Sequence, residues 1–484
     1  MTRARAAGGI RLHPPRARRS TAFRSGAAPA GQLGAARQCS ALRSRFVFVA
    51  LLFAALVSGP GPGLAKEAAL GGSLRLRALH SFDSGDNPEV TFGFLDTDAR
   101  VTSLTEGGLE LRLDATFLWD VTSADERRYG VTESFDQVRL LYARQPVLDG
   151  RLVLTAGRQL LWDAGNAWID GATAEWRFAD ERAGLGLFGG LAPDPYDAAV
   201  DADAQTTGLF AVYTEDTLDA ALAYAATLRG GALDRHFVYQ RTHYRVAPGL
   251  YLSDYLVFDL ARQAEVTTLL ASVDYTPVPP VNLTLNLSRY SIEQYRDAQV
   301  YHNVLDAHQA LLLGDEVVDL VYNRARLSAS VRFWDHVYHY QVVEAKHRSQ
   351  DDREAYTYTI GLRDEDIADT ELRADLSLQL HNGYASDSEL VSLVLDRDFG
   401  GQFSADLRAT YFDGRTIGRA TERGRHFDEA QEIWLIGGGL TWRPGRHHQV
   451  EAAYDGIYEA ELQDLRNQEN LFIHTVVARY VYAF

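Results

Sequence analysis

The chain has a single cysteine, Cys39, and it lies ahead of an apolar run near the N-terminus. A mature protein starting beyond that run has no disulfide framework and no thiol chemistry. No apolar stretch reaches the roughly 20 residues that a transmembrane helix needs. Basic residues are scarce, with 48 Lys and Arg against 65 Asp and Glu and a formal charge of −17. Such a balance argues against nucleic acid as a partner, which calls for basic patches. There is no H-E-x-x-H, no G-x-S-x-G and no phosphate loop. No catalytic residue, metal site or cofactor is therefore expected.

The scarcity of base is uneven. Residues 1–65 hold ten Arg and no Lys, Asp or Glu. Arg43 and Arg45 precede the apolar run from Phe46 to Val57, and small residues follow at Gly63 and Ala65. Basic flank, short apolar core and small-residue site read as a secretory signal cleaved before Lys66. The Arg- and Ala-rich stretch before Ser40 is longer than such a signal requires. An exported chain without helical spans can sit in a membrane only as a closed barrel.

What fills the rest is alternation. Leu111, Leu113, Ala115, Phe117 and Trp119 share one face and Glu110, Arg112, Asp114 and Thr116 the other. Leu372, Ala374, Leu376, Leu378 and Leu380 oppose Glu371, Arg373, Asp375, Ser377, Gln379 and His381. The stretches Arg324–Phe333 and Phe403–Tyr411 repeat the pattern, and Leu471–Phe484 carries it to an aromatic end. A period of two over about ten or more residues marks strands long enough to cross a bilayer at a tilt. Short turn signals, such as Pro146 to Gly150, Ala247-Pro248-Gly249 and Pro444-Gly445-Arg446, alternate with long polar stretches at 120–133, 191–205, 292–317, 413–429 and 460–470. These features predict an all-β, antiparallel up-and-down barrel of about 18–20 strands, the short turns facing the periplasm. Residues 66–106 read as a lead-in containing a possible first strand near Ser73 to His80, and 107–484 as the barrel. Tyr480, Tyr482 and Phe484 form a terminal aromatic face of the kind that barrel assembly machinery reads. Trp119, Trp334 and Trp442 suit the membrane interface.

Gly157-Arg158-Gln159 on one strand and Asp170-Gly171 opening the next resemble the G-R-Q and D-G elements of the alginate-export-like porins. Leu187 to Tyr196 is similar to a segment of outer-membrane barrels of that general kind. The resemblance covers about residues 150–200 and implies an outer-membrane barrel that conducts solutes. What is expected is a porin-like channel for passive passage of hydrophilic solutes, anionic ones or oligosaccharides among them, with outer-membrane lipid as its surroundings. The competing readings are a closed barrel serving as a surface scaffold or adhesion platform, and a soluble β-rich binding protein.

The faces opposite the apolar ones supply the pore-lining candidates: Arg112, Arg177, Arg324, Arg326, Arg332, Arg373 and Arg408 against Glu110, Asp114, Glu175, Glu371, Asp375 and Asp406. Either they pair across strands and stiffen the wall, or Arg324, Arg326 and Arg332, with no acid on their own strand face, form a cationic ladder that selects anions. Residues 301–313 show a helical apolar face that would plug the lumen or cap a loop. Asp194, Asp197, Asp201 and Asp203 read as a solvated acidic loop, with calcium binding the alternative. His336, His339, His447 and His448 read as turn residues.

Overall fold

The computed structural model describes residues 69–84, 89–120, 134–194, 198–260, 264–291, 321–349, 352–384, 386–416, 429–461 and 471–484. The expected signal at 1–65 and the helical stretch 301–313 lie outside them. The strands are β1 (Ala69–Asp83), β2 (Val90–Thr102), β3 (Glu110–Asp120), β4 (Ser134–Val147), β5 (Leu152–Leu161), β6 (Ala167–Phe178), β7 (Ala183–Pro193) and β8 (Val200–Glu215). Next come β9 (Leu218–Arg229), β10 (Ala232–Ala247), β11 (Leu250–Asp259), β12 (Glu265–Val278), β13 (Val281–Ser291), β14 (Val321–Arg332) and β15 (Val337–Arg348). The series ends with β16 (Arg353–Asp364), β17 (Leu372–Asn382), β18 (Ser386–Phe399), β19 (Phe403–Thr416), β20 (Glu429–Gly445), β21 (His448–Glu461) and β22 (Leu471–Ala483).

Every strand pairs antiparallel with its neighbours in sequence, and β22 pairs with β1. The seam runs from Ser73 opposite Ala483 to Asp83 opposite Ile473, and Gly72 and Phe484 exchange backbone hydrogen bonds of 3.1 Å. The sheet is thus a closed 22-strand barrel with no free edge. The expected count of about 18–20 is too low. One reason is that β1 and β2 belong to the wall rather than to a lead-in. Another is that the hairpin at Gly230 and Gly231 joins β9 to β10 without the polar run that marks other loops. Closure leaves the backbone groups of the wall paired inside the sheet, the condition for standing in lipid.

The two rims differ as the turn signals predict. Links 148–151, 216–217, 248–249, 279–280 and 446–447 share one rim with both ends of the barrel chain. Links 121–133, 292–320, 417–428 and 462–470 belong to the other. The expected long loop at 191–205 is a correction, because β7 continues to Pro193 and β8 begins at Val200. Asp201 and Asp203 therefore lie on a strand, where Asp201 accepts from Arg229 at 2.8 Å.

Register turns the sequence alternation into two surfaces. Leu285, Leu327, Val343, Tyr358 and Leu380 stand opposite one another across five strands, and all of them are exposed. One step along, Asn286, Arg326, Glu344, Thr357 and His381 form the adjacent row, facing the other way. In a soluble protein the apolar row would be buried. Its exposure around a closed sheet gives a transmembrane exterior, with the polar row inside.

Candidate functional site

The inner wall divides into a charged arc and an apolar one. On the charged side most acids meet a base across the ladder. Glu110 takes Arg100 at 2.9 Å and Arg144 at 3.7 Å. Arg112 reaches Asp98 at 2.9 Å, and Asp114 holds Arg139, whose Nε lies 3.2 Å away. Glu175 and Arg177, on β6 at the short-turn end of the otherwise apolar arc, pair along one strand at 2.9 Å. Asp375 accepts from Arg363 at 2.7 Å and from the Tyr340 hydroxyl at 2.7 Å. Arg373 bridges Asp396 and Asp398, and Arg408 stands 3.5 Å from Asp455. Asp406 makes no ion pair among the described residues and lies in register with Asp396 and Gly439. Such pairs contribute roughly 0.2–1 kcal/mol each and fix register more than stability. Glu371 sits elsewhere: its φ is +60° in the link before β17, and its N–H donates to Asp366 Oδ1 at 2.7 Å.

The three arginines read as a ladder are not equivalent. Arg324 donates through Nε to Glu344 at 2.7 Å, and Lys346 reaches the other oxygen of the same carboxylate at 2.8 Å. Two cations thus share one acid. Arg326 and Arg332 make no ion pair among the described residues, and the Nε of Arg326 is buried without a hydrogen-bond partner. Arg324, Arg326, Glu344 and Lys346 line a recess of about 380 Å³, completed by Val342, Thr357, Thr359, Gln379, His381 and Ser388. The formal charge of these side chains is positive, and hydroxyl, amide and imidazole groups surround it. Arg332 stands apart from them, exposed beside the short-turn rim.

From β6 to β11 the inner wall is built of Ile169, Phe188, Phe210, Ala221, Ala223, Ala225, Phe237, Tyr239 and Val257. The link between β5 and β6, with a 3-10 turn at Trp162–Ala164, packs against β8 and β9. It crosses from β5 to strands three and four positions along the sheet, a reach available on the concave side. Ala164 is 0% exposed against this wall. Gly165 has a φ of +70°, and a Cβ there would meet Phe237 at 2.8 Å. Asp163 pairs with Arg241 at 3.1 Å, and Arg241 also holds Asp219 at 2.6 Å. Asn166 donates to the Tyr255 hydroxyl at 3.3 Å. Burial pushes the Asp163 carboxyl above the usual range despite the pull of Arg241, with Asp219 and Glu175 adding to the rise.

Sequence reasoning looked for an infolded segment at 301–313 and missed this one. A signal was there: β9 reads L-D-A-A-L-A-Y-A-A-T-L-R, apolar on both faces where other strands alternate. A strand that is apolar inside as well as outside has something resting on it.

The two family-like elements are brought together, but not on the inner wall. Gly157 faces Gly171, and Arg158 holds Asp170 with two bonds of 2.6 Å. Arg158 also donates to the carbonyls of Val138 and Ala198. By register the pair shares the outward face of Leu154 and Trp176. It braces the wall.

At the seam, His448 Nδ1 lies 2.8 Å from the Tyr480 hydroxyl and its ring 5.2 Å from that of Tyr482. Tyr482 contacts Phe484 at 5.9 Å. His339 and Gln341 are hydrogen-bond partners, and His336 lies 3.8 Å from Asp364. No group of carboxylate, His or Cys side chains suited to hold a metal is found among the described residues.

An apolar exterior, a closed antiparallel sheet and an ion-paired interior define a transmembrane β-barrel of the outer-membrane kind. No protein-family model matches the chain, and no curated protein does. Among solved structures, the chain is similar to OccK11 (OpdR) of Pseudomonas aeruginosa, at 12% identity and a TM-score of 0.41 over 87% of this chain and 98% of that one. It is also similar to OccAB2 of Acinetobacter baumannii, at 11% identity and a TM-score of 0.43 over 88% and 100%. OpdK of Pseudomonas aeruginosa, solved with vanillate, is a third, at 12% identity and 0.39 over 87% and 100%. With these scores below 0.5, the function of the site follows from the chain's own side chains.

Proposed function

We propose that the protein is a porin-like channel of the outer membrane that passes hydrophilic solutes passively and favours anions. The observation that carries the reading is the recess around Arg326. It gathers three cations against one carboxylate, and one guanidinium Nε there is left without a protein partner. A carboxylate or phosphate arriving there would gain charge-assisted hydrogen bonds of the stronger class. The hydroxyl, amide and imidazole groups beside it suit a polyol or sugar, so acidic oligosaccharides are among the solutes it would take. Arg326 and Arg332 keep the role expected of the ladder, while Arg324 is shared with Glu344 and Lys346. The reading needs no cofactor and no catalytic step. Tyr480, Tyr482 and Phe484 would present the assembly signal, and lipid would cover the exterior.

The test is single-channel conductance of the chain from Lys66 to Phe484 in a planar bilayer under a salt gradient. Ohmic steps with an anion-selective reversal potential are expected. Replacing Arg326 and Arg332 with Ala shifts that potential toward cations, and an unchanged potential removes the selectivity role. The second reading, a closed barrel acting as a scaffold, draws support from the infolded turn at 162–166, which fills part of the lumen. An inserted chain that passes no current would favour it.

A further inference from the structure

An uncharged band separates the recess around Arg326 from the ion pairs nearer the short-turn rim. Register carries an inward row from Ser330 through Tyr340, Gly361, Ser377 and Ser392 to Thr410, one residue on each of six strands. The row holds hydroxyls, one aromatic ring and one residue without a side chain. A Cβ on Gly361 would overlap the Tyr340 ring, so the ring of β15 lies against the backbone of β16. Its hydroxyl reaches on to β17 and donates to Asp375 Oδ1 at 2.7 Å, while Arg363 Nε donates to the other oxygen of that carboxylate at 2.8 Å. Held at both ends and stretched along the wall, the ring offers its surface to the lumen. Rings also cover glycines on the apolar arc, Phe210 over Gly186 and Phe188 over Gly208. Those rings are 6% and 2% exposed and cluster with Ala164 of the infolded turn. Tyr340 is half-buried among hydroxyls instead.

A pyranose has a face of C–H groups and a rim of hydroxyls. An aromatic surface takes the face, and Ser, Thr and amide side chains take the rim. A flat aromatic acid would gain most from apolar cover on both sides, which a row of hydroxyls does not supply. Tyr340 lies four residues from Glu344 on β15, about 13 Å along the wall. Thr359 and Gln379 of the recess stand between the two levels. One small acid cannot reach across that distance, and a short chain of sugars can.

We propose that Tyr340 is a stacking surface for a pyranose ring, and that an acidic oligosaccharide lies along the inner wall with one acid group in the recess and one sugar face on Tyr340. The inference rests on the proposal that hydrophilic solutes enter the lumen and deepens it by assigning a substrate class. Calorimetric titration of trigalacturonate, a uronic-acid trimer, into the closed barrel in detergent reads the contact without requiring current. Tyr340→Leu should weaken trimer binding roughly tenfold, and Tyr340→Phe should keep most of the affinity. Gly361→Ala, which lifts the ring off the wall, should weaken binding with Tyr340 still present. Succinate, which reaches only the recess, should bind Tyr340→Leu and the parent chain alike. No trimer binding, equal trimer affinity in the parent chain and Tyr340→Leu, or an equal loss for succinate overturns the stacking role. Benzoate losing as much as the trimer would assign the ring to aromatic acids and overturn the sugar. A barrel that passes no current yet binds the trimer through Tyr340 would remove the channel reading and leave this one standing. An anion-selective barrel indifferent to Tyr340 would do the reverse.

Discussion

Two arcs of the same inner wall solve the problem of a wide lumen in opposite ways. From β6 to β11 the wall carries alanines and aromatics, and the turn at 162–166 lies on them. From β14 to β19 it carries Arg, Lys, Thr, Gln and His around a recess that stays open. Alanines at 221, 223 and 225 leave a shallow bed into which backbone can settle, and dispersion holds it there. Charged side chains on the other arc keep their hydration and one another, so chain laid over them would have to strip both. In the proposed channel, the course left to a solute is thus set by which side chains a loop can dehydrate.

Breaking the apolar arc should have the largest effect. Gly165→Val combines a disfavoured φ with a clash against Phe237, so the turn unseats. Unit conductance in a planar bilayer is expected to rise about twofold, on a barrel otherwise intact. A conductance equal to that of the parent chain would mean the turn does not narrow the path. On the charged arc, Arg326→Ala removes the one cation of the recess that makes no ion pair among the described residues. Affinity for a blocking dicarboxylate, read from current noise, should fall about tenfold, the worth of one charge-assisted hydrogen bond. Glu344→Gln acts the other way, since it releases Arg324 and Lys346 from their shared acid. Anion selectivity should increase, by less than Arg326→Ala lowers it, because both cations are partly solvated. A reversal potential moving toward cations would show that Glu344 does not neutralise them.

The smallest effect joins the arcs. Asp163 has its carboxyl raised by burial in the seated turn, so the seated turn binds a proton more readily than the released one. Seating is therefore strongest at low pH and weakens as pH rises through the raised value, above the ordinary carboxylate range. Conductance should climb modestly across that window and lose its slope in Asp163→Asn. A slope that survives the substitution would place the titrating group elsewhere.

Strand type and the long-and-short alternation of turns could be read directly, because a period of two and turn chemistry are local. Partners could not. Arg324 finds Glu344, and Arg158 finds Asp170, through register, which no single strand encodes. The ladder of Arg324, Arg326 and Arg332 lost its uniformity for that reason: Arg324 acquired an acid from β15 and Arg326 did not. The strand count slipped where turns were too short to interrupt the pattern, as at Gly230 and Gly231. The infolded turn escaped notice because five residues between two strands look like an ordinary link, and only the doubly apolar β9 hinted at what lay over it.

The seam also sets a clock. Its Ser81 to Thr475 contact joins residues 394 positions apart, the kind of pairing whose loop-closure entropy is met late. Every other strand pair forms between neighbours in sequence and can zip as a hairpin. Until β1 finds β22 the sheet is an open ribbon with two bare edges, vulnerable to pairing with another chain. Substitutions that weaken the Leu76 and Tyr480 row should therefore slow the appearance of closed barrels more than they lower the stability of barrels already closed.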